Sequence, residues 1–455
     1  MKLSVENRNY CAVVVRAETF IDLPNCDNVK ACLILNQHVI VGKDTQPGTV
    51  GLFFPVETEI MPLFLGPNNL YRKAEYGNSN PESKGGFFEQ SGRVKCMKFR
   101  GHRSEGFFIP ISSITESASP GVVFKELEVG VEFDTLNDHQ ICRKYVPRHQ
   151  RMGGMGGSKK GPKKFRKEDL ILDGQFRFHY DTAQLKRNLH KLELDTPISI
   201  SDKWHGTSVV IGHLATKRIH TWYERLLKKI GVKIQEEEFG IVAASRRVIK
   251  SVAGEATEDK NHFYDTDLWS LVGQENANRI PKGFTIYGEI VGYTPAGSFI
   301  QKGYAYRCAV GAHRLLVYRV TSTNHDGKVI ELSWNQLKEF CQSYGLETVV
   351  ELWNGTPRQI VDEWTLRLQE KGREPHEDWR VLFTNALDFK YLEKKCDYNP
   401  GLPNEGIVIR VDHLEESEAY KLKSFAFLER ETKMLDEGAE DMETSEEVES
   451  IDGIC

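Results

Sequence analysis

A basic, glycine-rich segment in the first half of the chain limits the possible folds more than any other feature. Residues 143–167 contain ten Lys or Arg and no acid, and they include five glycines. So few apolar side chains cannot form a core, which predicts a flexible linker over residues 143–168 between two packed units. This linker is either simply solvated or attracts polyanions nonspecifically through its charge.

Length and composition narrow the class of protein. A chain of 455 residues is long enough for two or three domains with sizeable cores. Its first residues are polar, and no apolar run approaches the ~18 residues that a membrane span needs, so we expect no membrane partner. The nine cysteines form no Cys-x-x-Cys pair, which argues against a zinc ribbon or a disulfide framework. These features predict an unsecreted protein, cytoplasmic or elsewhere in the cell, the nucleus included.

The charge is unevenly distributed. The whole chain has a net charge of −5, whereas residues 431–455 contain ten acids and one Lys, a net charge of −9. The remaining 430 residues therefore carry a net charge of +4. The acidic segment has few aromatic residues, and its composition predicts a disordered tail.

The two units differ in their predicted secondary structure. Residues 1–142 contain short β-like runs at irregular spacing, which favours a small β-barrel. These runs are Ala12–Val15, His38–Val41, Val50–Phe54, Arg93–Phe99 and Gly106–Ile109. Residues 169–430 mix strands with helices, which predicts an α+β domain. Helices are expected after Ser333, with Gln336 completing a capping box, and after Thr356-Pro357.

Lys203 occupies a position suited to chemistry. The alternating run Ile198–Ser201 is interrupted at Lys203–Gly206, and a second β-like run follows at Ser208–Ile211. A lysine is thus held at a strand edge, beside a glycine that allows close approach of a ligand. This pattern alone is weak, because most lysines in turns are simply solvated.

Two carboxylates interrupt otherwise apolar strands further along. Glu289 lies inside the run Phe284–Val291, and Glu405 stands at the start of the run Gly406–Arg410. A carboxylate in such a place is costly unless it meets a cation or a hydroxyl. Each is either an edge carboxylate paired with a surface lysine or part of a site.

A pair of lysines suggests an anion. In Tyr420-Lys421-Leu422-Lys423 the period of two places both lysines on one strand face and the two apolar residues on the other. Two like charges about 7 Å apart repel each other unless an anion lies between them. A phosphate chain would meet this need.

These segments, in this order, resemble the motifs of the covalent nucleotidyltransferase superfamily, in particular ATP-dependent RNA ligases. The matching segments are Lys203–Gly206 for motif I, Ser245–Arg247 for motif Ia, Tyr287–Ile290 for motif III, Leu315–Tyr318 for motif IIIa, Glu405–Arg410 for motif IV and Tyr420–Lys423 for motif V. The N-terminal part resembles the OB domain of a nick-sealing RNA ligase group. The resemblance therefore implies an N-terminal OB-type β-barrel, then an ATP-grasp-like nucleotidyltransferase domain with antiparallel sheets and helices.

The resemblance also implies roles for individual residues. Lys203 would be the nucleophile that takes AMP from ATP, and Lys421 and Lys423 would hold the α-phosphate. Glu405 would contact Mg²⁺ or Mn²⁺, and Glu289 would bind the ribose or share that metal. The remaining expected nucleotide contacts are His205, Gly206, Arg246 and Tyr318. Tyr318 would stack on adenine, although an aromatic residue in such a strand is more often part of the core.

The expected partner is RNA with 3′-hydroxyl and 5′-phosphate ends, held as a nicked duplex by the barrel and the linker.

The sequence departs from the superfamily pattern at two points. His205 stands where some members have an aspartate that organises the water shell of the metal. Only 32 residues follow Lys423, too few for the further OB domain of DNA ligases and capping enzymes. An RNA capping guanylyltransferase and a non-catalytic RNA-binding protein are the alternatives.

Overall fold

The computed structural model describes residues 2–83, 86–115, 124–147, 167–252, 266–413 and 416–438. We call residues 2–147 the N-terminal unit and residues 167–438 the C-terminal unit. Most of the predicted linker (148–166) and of the predicted acidic tail (439–455) lies outside the described residues, so both remain predictions.

Short antiparallel strands build the N-terminal unit. Their bounds are β1 (Leu3–Ser4), β2 (Ala12–Ala17), β3 (Thr19–Ile21), β4 (Val29–Ile34), β5 (Gln37–Gly42), β6 (Thr49–Pro55), β7 (Thr58–Ile60), β8 (Met97–Phe99), β9 (His102–Ser104), β10 (Gly106–Pro110), β11 (Glu132–Phe133), β12 (Thr135–Leu136), β13 (His139–Gln140) and β14 (Cys142–Lys144). They form the ladders β10-β6-β2-β11, β3-β4-β5, β1-β12-β13, β14-β7 and β8-β9. A single helical turn, α1 (Pro62–Leu65), follows β7.

The central ladder of this unit is buried on both faces. Successive side chains of β2 point to opposite sides, so Val14 packs into one core with Leu52 and Phe54 while Val13 and Phe53 pack into another. The ladder is therefore a middle layer between two cores. The sequence was right about short strands, but in the described part of the chain these ladders do not close into the expected OB-type barrel.

The C-terminal unit contains two sheets and seven α-helices within the described residues. The strands are β15 (Ala183–Gln184), β16 (Ile198–Lys203), β17 (Thr207–Lys217), β18 (Glu237–Ala244), β19 (Ile249–Val252), β20 (Phe284–Gly292), β21 (His313–Thr323), β22 (Val329–Glu331), β23 (Glu347–Thr348), β24 (Glu351–Gly355), β25 (Gly406–Val411) and β26 (Glu418–Lys423). The helices are α2 (Leu185–Asn188), α3 (Trp222–Lys229), α4 (Leu268–Asn276), α5 (Trp334–Tyr344), α6 (Pro357–Glu370), α7 (Trp379–Leu387) and α8 (Phe425–Asp436).

The predicted mixture of helices and antiparallel sheets is confirmed in this unit. A five-stranded sheet has the order β15-β26-β25-β16-β24, and a seven-stranded sheet has the order β19-β18-β17-β20-β21-β22, with β23 beside β21. Helices α6 and α7 cover the first sheet, and α4 and α5 cover the second. Both predicted helix starts are correct, because Ser333 and Gln336 form the capping box of α5 and Thr356 and Gln359 form that of α6.

A buried ion-pair network joins the two sheets. The Glu331 carboxylate at the end of β22 accepts a hydrogen bond of 2.8 Å from Arg319 of β21. Its other oxygen lies 3.0 Å from the guanidinium of Arg410 of β25. The Arg319 guanidinium also lies over the ring of Tyr180, 4.4 Å from its centroid. Three buried charged side chains thus connect strands of both sheets.

The two units meet along β26 and α8. Lys423 lies 3.2 Å from Glu57, in the turn between β6 and β7, and 3.4 Å from Glu431 of α8. Helix α8 continues past residue 430 to Asp436, which pairs with Lys95 at 2.8 Å. Residues 431–436 are therefore helical, and β14, which pairs with β7, extends beyond residue 142, whereas the domain boundaries themselves stay a prediction.

Within the described residues, no helix is both long and apolar enough to cross a membrane.

Glu57 provides a test of how the units are joined. Burial favours its neutral form, but the charge of Lys423, a hydrogen bond with Glu431 and the charges of Lys421 and Lys144 together outweigh burial and lower the pKa of Glu57 to about 2 from 4.5. A depressed carboxyl pKa contributes stability above pH 4.5, and this contribution is lost as the pH falls toward 2. We expect Glu57→Gln to lower the free energy of unfolding at pH 7 by about 3 kcal/mol.

The measurement is denaturant unfolding at several pH values. The difference between Glu57→Gln and the unchanged protein should shrink between about pH 4.5 and pH 2. Glu75→Gln, at an exposed carboxylate of the same unit, is the matched control and should change little. A difference that stays constant down to acid pH would show that Glu57 contributes through packing alone.

Candidate active site

One face of the five-stranded sheet lines a cleft. Along β16, Ile198 and Ile200 point into the core, so the alternate residues Ser199, Ser201 and Lys203 point to the opposite face. Antiparallel register extends this face across β25 and β26 in three rows, which are Ser199 with Arg410 and Ala419, Ser201 with Val408 and Lys421, and Lys203 with Gly406 and Lys423.

Lys203 is held by a buried carboxylate. Its Nζ lies 2.7 Å from Oε1 of Glu405, whose side chain is only 2% exposed. The other oxygen of Glu405 lies 3.8 Å from Nδ1 of His205. Glu405 immediately precedes β25, so the pairing of β16 with β25 brings together two residues that are about 200 positions apart in sequence.

The turn that follows Lys203 crosses from one sheet to the other. Strand β16 belongs to the five-stranded sheet and β17, which begins at Thr207, to the seven-stranded sheet. The Trp204 ring lies 4.5 Å from the Tyr306 ring and 4.6 Å from the Tyr398 ring. The backbone N–H of His205 donates to the Tyr306 hydroxyl at 2.7 Å. These contacts fix the turn.

Glu289 binds the same turn from the second sheet. It accepts from the backbone N–H of Gly206 at 3.0 Å and from the Ser208 hydroxyl at 3.4 Å. A Cβ at Gly206 would lie 2.2 Å from the Ile290 carbonyl oxygen, closer than atoms can approach. A glycine is therefore required for the turn to reach β20.

The two sheets enclose a cleft with an empty volume of about 960 Å³ including its mouth. Five of the predicted site residues line it together, namely Lys203, Arg246, Glu289, Tyr318 and Lys421. Glu405 lies directly against Lys203.

Arg246, which is buried, and Tyr318, which is half-buried, both lie in the wall of the cleft. Burial, reinforced by the negative charge of Glu289, raises the pKa of Tyr318, so its hydroxyl stays protonated. Its ring contacts His179 edge-on at 5.5 Å. Arg246 donates to Asp181. Burial raises the pKa of Asp181, but the positive charges nearby, that of Arg246 first and that of Lys421 next, lower it by a larger amount, so the pKa lies below its ordinary value.

Besides Glu405, three predicted site residues do not line the cleft. His205 packs its ring against Tyr304 and Phe427, and Gly206 contributes its backbone N–H to Glu289. Lys423 shares a strand face with Lys421, as the sequence predicts, but its Nζ points to Glu57 and Glu431. The sequence analysis expected a phosphate to provide the negative charge beside Lys423, but here the carboxylates of Glu57 and Glu431 provide it.

Sequence reasoning missed several residues in the wall of the cleft. Asp181, which pairs with the lining residue Arg246, was missed as well, because it lies in an irregular segment before β15 where no periodic pattern marks it. Asp202 precedes the predicted nucleophile directly, and burial raises its pKa to about 6 although Asn404 donates to it. Arg319 and Glu331 were also missed. A charged residue inside an apolar strand was the available signal for Arg319, as it was for Glu289.

The donor set fits a hydrated divalent cation. No group of three or more His, Cys, Asp or Glu side chains that could enclose a metal occurs among the described residues. Mg²⁺ keeps much of its water shell and needs only one or two carboxylates. Glu405 meets this requirement at the cleft, whereas Glu289 already accepts hydrogen bonds from the turn.

Two sheets thus face each other across a cleft that contains the Lys203–Glu405 pair at its edge. The model of a protein family described as RNA ligase matches residues 196–423, half of the chain. The chain therefore belongs to the RNA ligase family. No curated protein is a significant match to the sequence.

Solved structures of the Naegleria gruberi RNA ligase share the fold. A variant with ATP and Mn has a TM-score of 0.55 at 13% identity, covering 93% of this chain and 99% of that one. The same ligase with PPi has a TM-score of 0.53 at 14% identity, covering 94% and 100% of the two chains. Another variant, with AMP and Mn, has a TM-score of 0.53 at 14% identity, covering 92% and 98%. These matches extend across both units.

Gly206→Ala tests the contact between the turn and the second sheet. The added methyl group would displace either the turn or β20, and with it the position of Lys203 relative to Glu289. A misplacement of about 1 Å can reduce a reaction rate about a hundredfold. We expect covalent nucleotide labelling to fall by that order.

Ser208→Ala is the matched control, because it removes the longer hydrogen bond to Glu289 and a hydrogen bond with Tyr318 but leaves the backbone of the turn unchanged. Labelling should fall much less than in Gly206→Ala, with thermal unfolding showing that both variants are folded. Equal labelling by Gly206→Ala and the unchanged protein would show that the turn tolerates movement.

Proposed function

We propose that this chain is an ATP-dependent RNA ligase that joins 3′-hydroxyl and 5′-phosphate RNA ends through lysyl-AMP and adenylated-RNA intermediates. The observation that carries this proposal is the Lys203–Glu405 pair at a cleft shared by Glu289, Arg246, Tyr318 and Lys421. The family assignment supports it, as do the ATP, AMP and PPi complexes of the Naegleria ligase.

In the first step Lys203 attacks ATP. The neutral amine of Lys203 forms a bond to the α-phosphorus, the bond to the bridging oxygen breaks, and pyrophosphate leaves. Lys203 must first lose a proton, and an ordinary lysine is almost wholly protonated at pH 7. Glu405, 2.7 Å away, is the nearest described group in a position to receive that proton or pass it to solvent.

The other cleft residues orient the nucleotide. Lys421, one row along the sheet from Lys203, would offset charge on the α-phosphate. The Tyr318 ring would pack against adenine, and Arg246 and Glu289 would hold the ribose or a phosphate. Lys423 would reach the phosphate chain only by leaving Glu57 and Glu431.

Glu405 is the residue that would hold Mg²⁺ or Mn²⁺, with water completing the coordination. A bound divalent cation would offset the charge of the phosphate oxygens and disfavour the ammonium form of Lys203. Glu289 would reach the same ion only by giving up its bonds to the turn.

The later steps need RNA. A 5′-phosphate oxygen would attack the lysyl-AMP phosphorus and release Lys203, and a 3′-hydroxyl would then displace AMP to form the phosphodiester bond. We assign to the N-terminal unit, an OB-type domain by its sequence resemblance, the task of holding a nicked duplex. Backbone contacts suffice for that task because the sequence need not be read.

Incubation with labelled ATP or GTP and Mg²⁺, followed by a denaturing gel, tests the proposal against its alternatives. Label from ATP supports the ligase. Label from GTP indicates a capping guanylyltransferase, and no label indicates a non-catalytic RNA-binding protein.

Lys203→Ala and Lys203→Arg should both abolish covalent labelling by ATP. Alanine removes the nucleophile, and the arginine guanidinium remains charged and does not attack. Lys217→Ala, at an exposed lysine at the far end of β17, is the control and should label normally. Labelling of either Lys203 variant at the rate of the unchanged protein would mean that another residue is the nucleophile.

Glu405→Ala should lose both labelling and strand joining by about a hundredfold or more while the fold is kept. The side chain lies at the mouth of β25, and its carboxylate, rather than its bulk, meets Lys203. Glu363→Gln, at an exposed carboxylate of α6, is the control. Circular dichroism and the labelling assay measure the two properties. A Glu405→Ala protein that is active, or inactive because it unfolds, would limit Glu405 to a structural role.

A further inference from the structure

Helix α3 lies almost entirely in solvent. It occupies the connection between β17 and β18, and Trp222 and Ile230 are 78% and 72% exposed. The one buried residue of the helix is Glu224. Its carboxylate accepts hydrogen bonds from the backbone N–H of Thr221, the N-cap residue, and from the guanidinium of Arg218. The fold therefore gives this helix a defined start but covers hardly any of its side chains.

The exposed helix has two different faces. At about 100° per residue, the large apolar side chains Trp222, Tyr223, Leu226 and Ile230 share one side. Lys228 lies on the opposite side, and Arg225 and Lys229 lie beside the apolar residues, next to Trp222. The Trp222 and Tyr223 rings are perpendicular and 6.1 Å apart, so each leaves a face open to solvent.

The charge of this segment selects the kind of partner. Residues 217–233 contain six Lys or Arg and one acid, a net charge of +5. Within the fold Lys228 pairs with Glu236 at 2.6 Å and Arg218 pairs with Glu224, so the segment keeps an excess of cations after these two pairs are counted. A second copy of the segment would be repelled, whereas a polyanion would be attracted. Open aromatic faces beside a run of cations are the means by which proteins bind unpaired nucleotides, because bases stack on the rings while cations follow the backbone.

We propose that residues 217–233 bind an unpaired stretch of the RNA substrate outside the break. This inference rests on the proposed function for the identity of the substrate. Strand β17 starts at the residue after Gly206 and has 11 residues, which places α3 up to about 35 Å from the active-site turn. The site thus holds RNA that flanks the break and takes no part in the chemistry.

The experiment compares two RNA substrates and two sets of variants. One substrate is a nicked RNA duplex, and the other carries in addition an unpaired extension of about ten nucleotides, within the range of single-strand binding sites. The variants are Trp222→Ala with Tyr223→Ala and, separately, Lys228→Glu with Lys229→Glu. Leu366→Ala with Lys371→Glu changes an exposed apolar and an exposed basic residue on α6 as the matched control.

The unchanged protein should bind the extended RNA at least about tenfold more tightly than the plain duplex, and both α3 variants should lose this difference. The charge variant should also bind the extended RNA with a weaker salt dependence. ATP labelling and joining of the plain duplex should not change, and neither should any property of the control. Unchanged thermal midpoints would show that the fold is intact.

Three results would overturn the proposal. One is no preference for the extended RNA, and the second is an equal loss of affinity for both substrates in the α3 variants. The third is unchanged RNA binding together with loss of binding to phosphatidylserine vesicles, which would make α3 a lipid-binding helix. Failure of the proposed function itself would appear separately, as absence of ATP labelling in the unchanged protein.

Discussion

The buried Glu331 carboxylate holds together the two sheets on which the active site depends. Arg319 belongs to the same sheet as Glu331, and Arg410 belongs to the other, so the shared carboxylate sets their separation at the closed end of the cleft. Charged side chains buried this deeply are stable only when they pair with side chains of opposite charge. Lys203 and Lys421 lie on one sheet and Glu289 and Tyr318 on the other, so their distances from one another follow from this network.

Much of the C-terminal unit could be predicted because its signals are local. Alternation along β26 placed Lys421 on the face opposite Tyr420 and Leu422, since strand periodicity depends only on neighbouring residues. Capping boxes identified the starts of α5 and α6 for the same reason. The meeting of Lys203 with Glu405 depends on strand pairing over a long distance, and it was predicted only through the resemblance to a known family.

Other features left no local trace in the sequence. Glu57 gives no sign that it meets Lys423, because the two lie in different units and Glu57 occupies a left-handed turn position with φ 65°. Asp181 reaches Arg246 from an irregular segment. The topology of the N-terminal unit was also inaccessible, because runs of two to seven residues specify strands but not their partners.

The turn from Lys203 to Gly206 has a consequence for how the enzyme moves. Trp204 is packed between two tyrosines, the backbone of His205 is bonded to Tyr306, and Gly206 lies tight against β20. A connection fixed at three successive residues cannot act as a hinge. Movement at the boundary between the units, where the contacts include ion pairs such as Lys95 with Asp436, would therefore leave this connection unchanged. Lys203 and Glu405 would stay in register while that boundary opens and closes.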